Sequence, residues 1–171
     1  MKRHVLLVGL PGAGKSTVGA LAASRLAAPL EDTDQTIVER SGRSIPALFA
    51  GPGEPAFRAL EREAVEGALS RAPRVIAAGG GWAAEPGNLE AAAPRALIIY
   101  LSCAPETAAV RLAGADPRPL VASDPVPRLR ELLAGRRRFY ERADVSVETD
   151  GRLAAAVADE VVALARSRGG W

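Results

Sequence analysis

The chain has 171 residues, of which 48% are apolar and 25% are charged, as expected for one globular domain with its own core. The formal net charge of +2 and the 4% content of aromatic residues exclude a strongly basic surface with stacking platforms for nucleic acid. The apolar runs are too short to span a bilayer, and a single cysteine, Cys103, excludes an internal disulfide. We therefore expect a cytoplasmic protein that binds neither membranes nor nucleic acid.

Short apolar runs alternate along the chain with longer segments of helical periodicity. This alternation predicts an α/β fold, a parallel sheet with helices on both faces. The predicted strands are His4–Val8, 30–33, 74–78, 96–101 and 144–148. The predicted helices are 15–27, 34–41, a short one at 46–53 closed by a Gly-Pro-Gly turn, 54–70, Pro105–Leu112, 125–142 and 151–166. Residues 113–127 contain Gly114 and four prolines, which predicts a surface loop.

The first predicted strand leads into a phosphate-binding motif. Residues 9–16 read GLPGAGKS and match G-x-x-x-x-G-K-[ST] in full, with a helical pattern following. The glycines allow the backbone N–H groups to converge on phosphate oxygens at a helix N-terminus. Lys15 is then expected to reach the β- and γ-phosphates, and the Ser16 hydroxyl to bind Mg²⁺. The alternative is a glycine-rich turn that binds no ligand.

Two carboxylates follow the second predicted strand. Phosphoryl transfer to an alcohol requires an aligned acceptor and neutralisation of the migrating charge. In Asp32-Thr33-Asp34, side chains two apart on a strand share a face, so both carboxylates could point into one cleft. Alternatively, either acid caps the following helix and has no other role.

Two arginines are candidates for holding an acidic acceptor. If Arg58 and Arg136 converge, their guanidinium groups form a clamp for a carboxylate. Alternatively, Arg58 is a surface residue paired with Glu54 or Glu61 at helical spacing. Arg136-Arg137-Arg138 would in the same way form a solvated cationic face.

Two further elements are placed to approach a ligand. Gly79-Gly80-Gly81 follows the third predicted strand, at the end where ligands bind in open α/β sheets, and would otherwise be a flexible turn. Arg118, between Pro117 and Pro119, either closes over the phosphates as part of a lid or is an ordinary loop arginine.

In this order, the motifs resemble those of the shikimate kinase family, from the phosphate-binding loop to about residue 150. The matching elements are 9–17, Asp32-Thr33-Asp34, Gly42-Arg43-Ser44-Ile45, Gly53-Glu54 with Phe57-Arg58, Gly79-Gly80-Gly81, Arg118-Pro119-Leu120, and Arg136 four residues before Tyr140.

The resemblance implies a P-loop NTPase fold, a three-layer α/β/α sandwich with a five-stranded parallel sheet like that of nucleoside monophosphate kinases. It implies ATP-dependent phosphorylation of shikimate at its 3-hydroxyl, giving shikimate 3-phosphate and ADP, a step of chorismate and aromatic amino-acid biosynthesis. ATP and shikimate would be the partners of one kinase domain over residues 1–171. In it, about 34–62 would form a substrate-binding helical segment and about 113–127 a lid. The size of the chain and the lack of an evident apolar stripe for pairing with a second copy favour a monomer.

The resemblance also implies a role for each matching residue. The residues implied to bind ATP are Gly12, Ala13, Gly14, Lys15, Ser16, Thr17, Arg111 and Arg118. The residues implied to bind shikimate are Asp34, Arg58, Gly79, Gly80, Gly81 and Arg136. Ser16 and Asp32 would hold Mg²⁺, directly or through water. Lys15, Asp34 and Arg118 would be catalytic, with Asp34 acting as general base or only aligning the hydroxyl.

The chain departs from the family pattern at three places. Trp82 stands where a small residue is usual, and either narrows the acceptor pocket or packs outside it. Val121-Ala122-Ser123 follows Leu120 where a second leucine is usual, and Arg137-Arg138-Phe139 replaces a commoner proline-containing stretch.

Three other functions remain open at this point. A related kinase for gluconate would share the chemistry, but the ordered arginines and glycines favour shikimate. A nucleotide-binding regulatory protein without turnover predicts loss of Asp34, Arg58, Arg118 or Arg136, all of which are present. A GTPase switch is disfavoured because its base-specifying N-K-x-D motif is absent from the sequence.

Overall fold

The computed structural model describes residues 1–113 and 125–171, which form one five-stranded sheet flanked by helices. The strands are β1 His4–Val8, β2 Leu30–Asp32, β3 Val75–Ala77, β4 Ala96–Ser102 and β5 Val145–Glu148. Their order across the sheet is β2-β3-β1-β4-β5, and every neighbouring pair is parallel. The predicted parallel α/β sheet is confirmed, and each predicted strand boundary lies within about one residue of the observed one.

The helices follow the predicted pattern with two additions. They are α1 Lys15–Leu26, α2 Thr33–Ser41, α3 Ile45–Ala50, α4 Glu54–Leu69, α5 Asn88–Ala92, α6 Pro105–Leu112, α7 Pro125–Tyr140 and α8 Ala154–Arg168. The sequence did not predict α5 or a 3₁₀ helix at Trp82–Ala84. The helix predicted at 151–166 begins later because Gly151 has a φ of 66° and Leu153 is extended.

The central strands are buried on both faces of the sheet. All five residues of β1 are buried, and successive side chains of a strand point to opposite faces, so helices must cover both. Helices α1 and α8 pack against each other, and α7 packs against α6 and the 3₁₀ helix. None of the helices in the described ranges is long and apolar enough to cross a membrane.

A second, smaller core joins α2, α3 and α4. Its buried members are Ile37, Leu48, Phe57 and Ala64. The rings of Phe49 and Phe57 lie 4.7 Å apart between centroids, so both aromatic residues take part in packing within this segment. The segment predicted at about 34–62 to bind substrate therefore has a packing cluster of its own.

The end of the sheet opposite the phosphate-binding motif is held by the C-terminal residues. The Trp171 indole N–H donates to the Arg3 carbonyl oxygen at 2.9 Å, and the Arg3 N–H donates to Gly169 O at 2.8 Å. His4, the first residue of β1, is buried here, and its Nδ1 has no hydrogen-bond partner within the described residues. This end of the sheet thus contains a buried imidazole.

Candidate active site

A cleft of about 440 Å³ opens at the carboxyl ends of β1, β2, β3 and β5, the edge where ligands bind in open parallel sheets. The residues that line this cleft include 11–17, Asp32, Asp34, 77–80, Arg111 and Arg152. The predicted phosphate loop, the two acids, Gly79 and Gly80 are therefore brought to one cavity, whereas Gly81, Arg58 and Arg136 are not among its lining residues.

The phosphate-binding loop connects β1 to the N-terminus of α1. Gly12 and Gly14 have φ values of 82° and 93°, and a Cβ on Gly12 would lie 2.5 Å from the Ala108 carbonyl oxygen. Glycine is thus required at position 12 by both backbone conformation and space. The loop is closely supported by α6 and opens towards the cleft, which is the arrangement expected of a phosphate cradle.

Lys15 and Arg111 are held against this loop. The Lys15 ammonium donates to the carbonyl oxygens of Gly9 and Leu10, each at 2.8 Å. Arg111 Nη1 donates to Ala13 O at 3.2 Å and to the Thr149 hydroxyl at 2.9 Å. Arg111, one of the residues implied to bind ATP, therefore links the phosphate loop to the end of β5 while lining the cleft.

Asp32 has two structural roles in addition to facing the cleft. Its Oδ1 accepts hydrogen bonds from the backbone N–H groups of Asp34 at 3.1 Å and Gln35 at 3.2 Å, so it caps α2. The Ser16 hydroxyl donates to its Oδ2. The expectation that Asp32 and Asp34 share one strand face is wrong, because β2 ends at Asp32 and Asp34 lies in the first turn of α2. Both acids nevertheless line the cleft.

Thr33, between these acids, is a residue whose importance the sequence did not reveal. Its side chain is fully buried, and its hydroxyl donates to Ala77 O at 3.3 Å and accepts from the Gly79 N–H at 3.1 Å. The hydroxyl thereby ties the start of α2 to the glycine run. The signal in the sequence for this role was the position of a hydroxyl residue between two acids.

The glycine run is closely packed rather than a flexible turn. A Cβ on Gly79 would lie 3.2 Å from Asp34 Oδ1 and still closer to the carboxylate of Glu61. A Cβ on Gly80 would lie 2.8 Å from Pro11 Cδ. Glycine is therefore required along this run because side chains and the phosphate loop occupy the space that a Cβ would need.

Arg58 pairs with the two glutamates named in the alternative interpretation, but it is not on the surface. Its Nη1 donates to Glu61 Oε2 at 2.5 Å and its Nη2 to Glu54 Oε1 at 3.0 Å, while the residue is buried. Burial raises the pKa of the Glu61 carboxyl, the nearby Asp34 charge adds to that rise, and Arg58 opposes it. The result is a buried charged network directly behind Gly79.

Arg136 differs from its two neighbours in sequence. Arg137 and Arg138 are exposed, as a solvated face requires, but Arg136 is buried. Its Nη1 has no hydrogen-bond partner within the described residues. The charges of both Arg136 and Arg58 act on the Glu61 carboxyl and on the Tyr140 phenol, so both arginines lie in the same region of the structure.

Tyr140 supports the same region from α7. Its hydroxyl donates to Gly80 O at 2.5 Å, and its ring stacks on Tyr100 with centroids 5.0 Å apart. Burial raises the pKa of Tyr140 to about 12, so the phenol stays protonated and keeps donating at neutral pH. The glycine run is thus fixed from both sides, by Thr33 and by Tyr140.

Trp82 begins the 3₁₀ helix that follows the glycine run. It is buried in the main hydrophobic core and is not among the residues lining the cleft. Arg152, which the sequence analysis missed, does line the cleft, and its Nη1 donates to Glu148 O and to Glu160 Oε2, each at 2.8 Å. Arg118 and the altered residues 121–123 lie outside the described part of the chain.

A parallel sheet of this order, with a lysine-bearing phosphate loop after its first strand and two acids lining the same cleft, defines a P-loop kinase. The model of the shikimate kinase family matches residues 11–166. The chain belongs to the shikimate kinase family.

The similarity to individual relatives extends over most of this chain. The shikimate kinase of Symbiobacterium thermophilum is 40% identical over 170 residues, covering 97% of this chain and 98% of that one. That of Streptomyces coelicolor is 44% identical over 149 residues, 86% of each chain. The structure of the Acinetobacter baumannii enzyme in complex with shikimate superposes with a TM-score of 0.92 at 32% identity, covering 98% of this chain and 94% of that one. A gluconokinase from Sinorhizobium meliloti, with a TM-score of 0.63 at 19% identity, shares the fold.

Proposed function

We propose that this protein transfers the γ-phosphoryl group of ATP to the 3-hydroxyl of shikimate, giving shikimate 3-phosphate and ADP in chorismate and aromatic amino-acid biosynthesis. Family membership and the shikimate complex of the Acinetobacter baumannii relative support this reaction. The observation that carries it is the buried Arg136 Nη1 with no hydrogen-bond partner within the described residues. A buried cationic donor of this kind calls for an anionic partner, and the acceptor carboxylate supplies one.

The nucleotide would lie along the phosphate loop. The backbone N–H groups of residues 12–17 would bind its phosphates at the N-terminus of α1. Lys15 would neutralise the β- and γ-phosphates, since its ammonium already lies over the loop at Gly9 O and Leu10 O. Arg111, which joins the loop to β5, would border the adenine, and Arg152 lies on the same side of the cleft.

Ser16 and Asp32 are the residues that we propose to hold Mg²⁺, directly or through water. The hydroxyl and the carboxylate contact each other at the mouth of the phosphate loop, and such hard oxygen donors suit Mg²⁺. When bound, the metal supplies charge neutralisation at the phosphates.

The acceptor would lie over the glycine run. Arg58 and Arg136 would bind its carboxylate, while Asp34 and the backbone of residues 79–81 would hold its hydroxyls. The 3-hydroxyl oxygen forms a bond to the γ-phosphorus as the bond from that phosphorus to the leaving ADP oxygen breaks, and the hydroxyl proton passes to Asp34. Because the transition state is loose, alignment is the main task of Asp34.

The proposed enzyme also has a lid over the phosphates. Arg118 would close over the phosphates from a lid at about 113–127, in one kinase domain over residues 1–171 whose acceptor segment is about 34–62. The described ends of that lid are Ala113 and the first turn of α7, which begins at Pro125. We further propose a monomer in the cytoplasm.

The decisive experiment is Mg²⁺-dependent ADP production with shikimate, gluconate, nucleoside monophosphates or no acceptor. Turnover with shikimate alone is the expected result. Turnover only with another acceptor would leave the nucleotide site in place but refute the assignment of Asp34, Arg58 and Arg136 to shikimate. ATP binding without acceptor-dependent turnover would favour a regulatory protein.

A further inference from the structure

Arg58 has two hydrogen-bonded carboxylate partners on its own helix, and they differ sharply in exposure. The Glu61 side chain is 2% exposed and that of Arg58 9%, whereas that of Glu54 is 54% exposed. Breaking the pair with Glu61 would leave a buried charge without its counter-ion, which is strongly unfavourable. Glu54 can return to water at little cost. Arg58 thus has one fixed partner and one exchangeable partner.

The structure provides space into which the exchangeable partner can move. A hollow of about 390 Å³ lies beside the first turn of α4, and Glu54, Arg58, Arg62 and Glu85 are among the residues that line it. Glu85 Oε1 lies 3.9 Å from Arg58 Nε, so a third negative charge faces the same guanidinium without a hydrogen bond. The Glu54 side chain can therefore leave Nη2 for a solvated position that borders Arg62.

The two arginines of the acceptor site consequently start from different states. Arg136 presents a buried Nη1 with no hydrogen-bond partner within the described ranges. Arg58 presents an Nη2 that already donates to Glu54 at 3.0 Å. A carboxylate that binds both guanidinium groups must compete with Glu54 for Arg58.

We propose that Glu54 is a positioning residue that acts through Arg58: it is the exchangeable counter-ion that gives way to the carboxylate of the acceptor. This inference rests on the proposed function. The exchange replaces one carboxylate by another, so an uncharged ligand of similar shape gains nothing from displacing Glu54. Glu54 therefore lowers the affinity for an anionic acceptor and narrows the difference in affinity between anionic and uncharged acceptors.

The test is Glu54→Gln, which removes the competing charge while keeping the size of the side chain. The KM for shikimate should fall about two- to fivefold, the effect of a partly exposed ion pair, with kcat and the KM for ATP unchanged. The KM for the uncharged methyl ester of shikimate should stay unchanged, so the selectivity for shikimate over the ester should rise about two- to fivefold. Glu63→Gln is the matched control, because Glu63 is exposed on the same helix and does not line the hollow.

The outcomes separate this inference from the proposed function. Shikimate turnover by the unmodified protein is measured first, and its absence would refute the function itself. With turnover present, an unchanged or higher KM for shikimate in Glu54→Gln would overturn the exchange, a higher value meaning that Glu54 orients Arg58 for the acceptor. A parallel fall in the KM for ATP would also overturn it, since that would be a general charge effect. A thermal unfolding scan reports separately on the place of Glu54 in the first turn of α4.

Discussion

The guanidinium group of Arg58 lies directly against the backbone of Gly81. A Cβ at position 81 would come within 2.6 Å of Nη2, and the central carbon of the guanidinium would be closer still. The backbone of Gly81 has φ −90° and ψ −13°, which any residue adopts, so only this contact requires glycine.

The substitution Gly81→Ala should therefore move Arg58 without straining the chain. Losing one charge-assisted hydrogen bond to the acceptor costs about 1.5–3 kcal/mol. We expect the KM for shikimate to rise roughly ten- to hundredfold, with little change for ATP, in steady-state kinetics. Gly135→Ala is the control, because no described atom beyond its own helix backbone lies within 4 Å of the added Cβ. Equal losses towards ATP and acceptor would contradict the placement of Arg58.

Arg136→Ala should weaken acceptor binding while sparing ATP. Removing a buried, charge-assisted carboxylate contact costs about 2–4 kcal/mol, roughly a 30- to 1000-fold loss in kcat/KM for shikimate. Arg137→Ala removes the same charge one residue away on the exposed face of α7 and should change little. If both variants lost activity equally, the distinction between the buried and the solvated arginine would be wrong.

Asp32 offers a way to separate capping from metal binding. Asp32→Ala removes the acceptor of the Asp34 and Gln35 N–H groups and should lower the free energy of unfolding by about 1 kcal/mol. Asp32→Asn keeps an oxygen for the cap but loses the charge, so its stability should stay close to that of the unmodified protein. Both variants should need more Mg²⁺ for half-maximal activity. An unchanged Mg²⁺ dependence in Asp32→Asn would remove Asp32 from the proposed metal site.

The contrast between these residues shows what the sequence could predict about the site. The phosphate loop was predictable because its motif is contiguous and its function lies in the local backbone. The sequence placed Asp32 and Asp34 in the right cleft for a wrong reason. The two residues do not share a strand, because Asp32 ends β2 and caps α2, and Asp34 already belongs to that helix. Sequence alone could not show which acid caps, because capping depends on where the helix begins.

For Arg136 a signal was present in the sequence. The buried residues of α7 include Leu129, Leu133, Arg136 and Tyr140, which follow helical spacing and place Arg136 on the inner face. The alternation of strands and helices likewise predicted the sheet. By contrast, α5 and the 3₁₀ helix at Trp82–Ala84 are too short to show a period, so pattern reasoning missed them.

His4 should make the fold sensitive to mild acid. Burial lowers the pKa of its imidazole, and the charges of Arg74 and Arg95 lower it further. The folded state then holds His4 neutral where the unfolded state is protonated, so the free energy of unfolding falls as the pH drops below about 6.5.

The measurement is urea unfolding at about pH 7.5 and about pH 5.5, a range above the ordinary pKa of carboxyl groups. One group contributes at most about 1.4 kcal/mol per pH unit. His4→Val, which suits a buried strand, should reduce the loss of stability between the two pH values. An identical loss in both proteins would show that His4 does not cause it.

The strand order of the sheet also determines when the protein can acquire its nucleotide site during synthesis. The phosphate loop lies near the start of the chain, but β1 pairs with β3 and β4, so Val5 lies beside Val75 and Leu97. A nascent chain therefore lacks the support for this loop until β4 and α6, which ends at Leu112, are available. Such distant pairings form slowly, and a ligand stabilises only the state that binds it. We expect ATP to protect the nearly complete chain from misfolding and proteolysis, and to give shorter nascent chains no such protection.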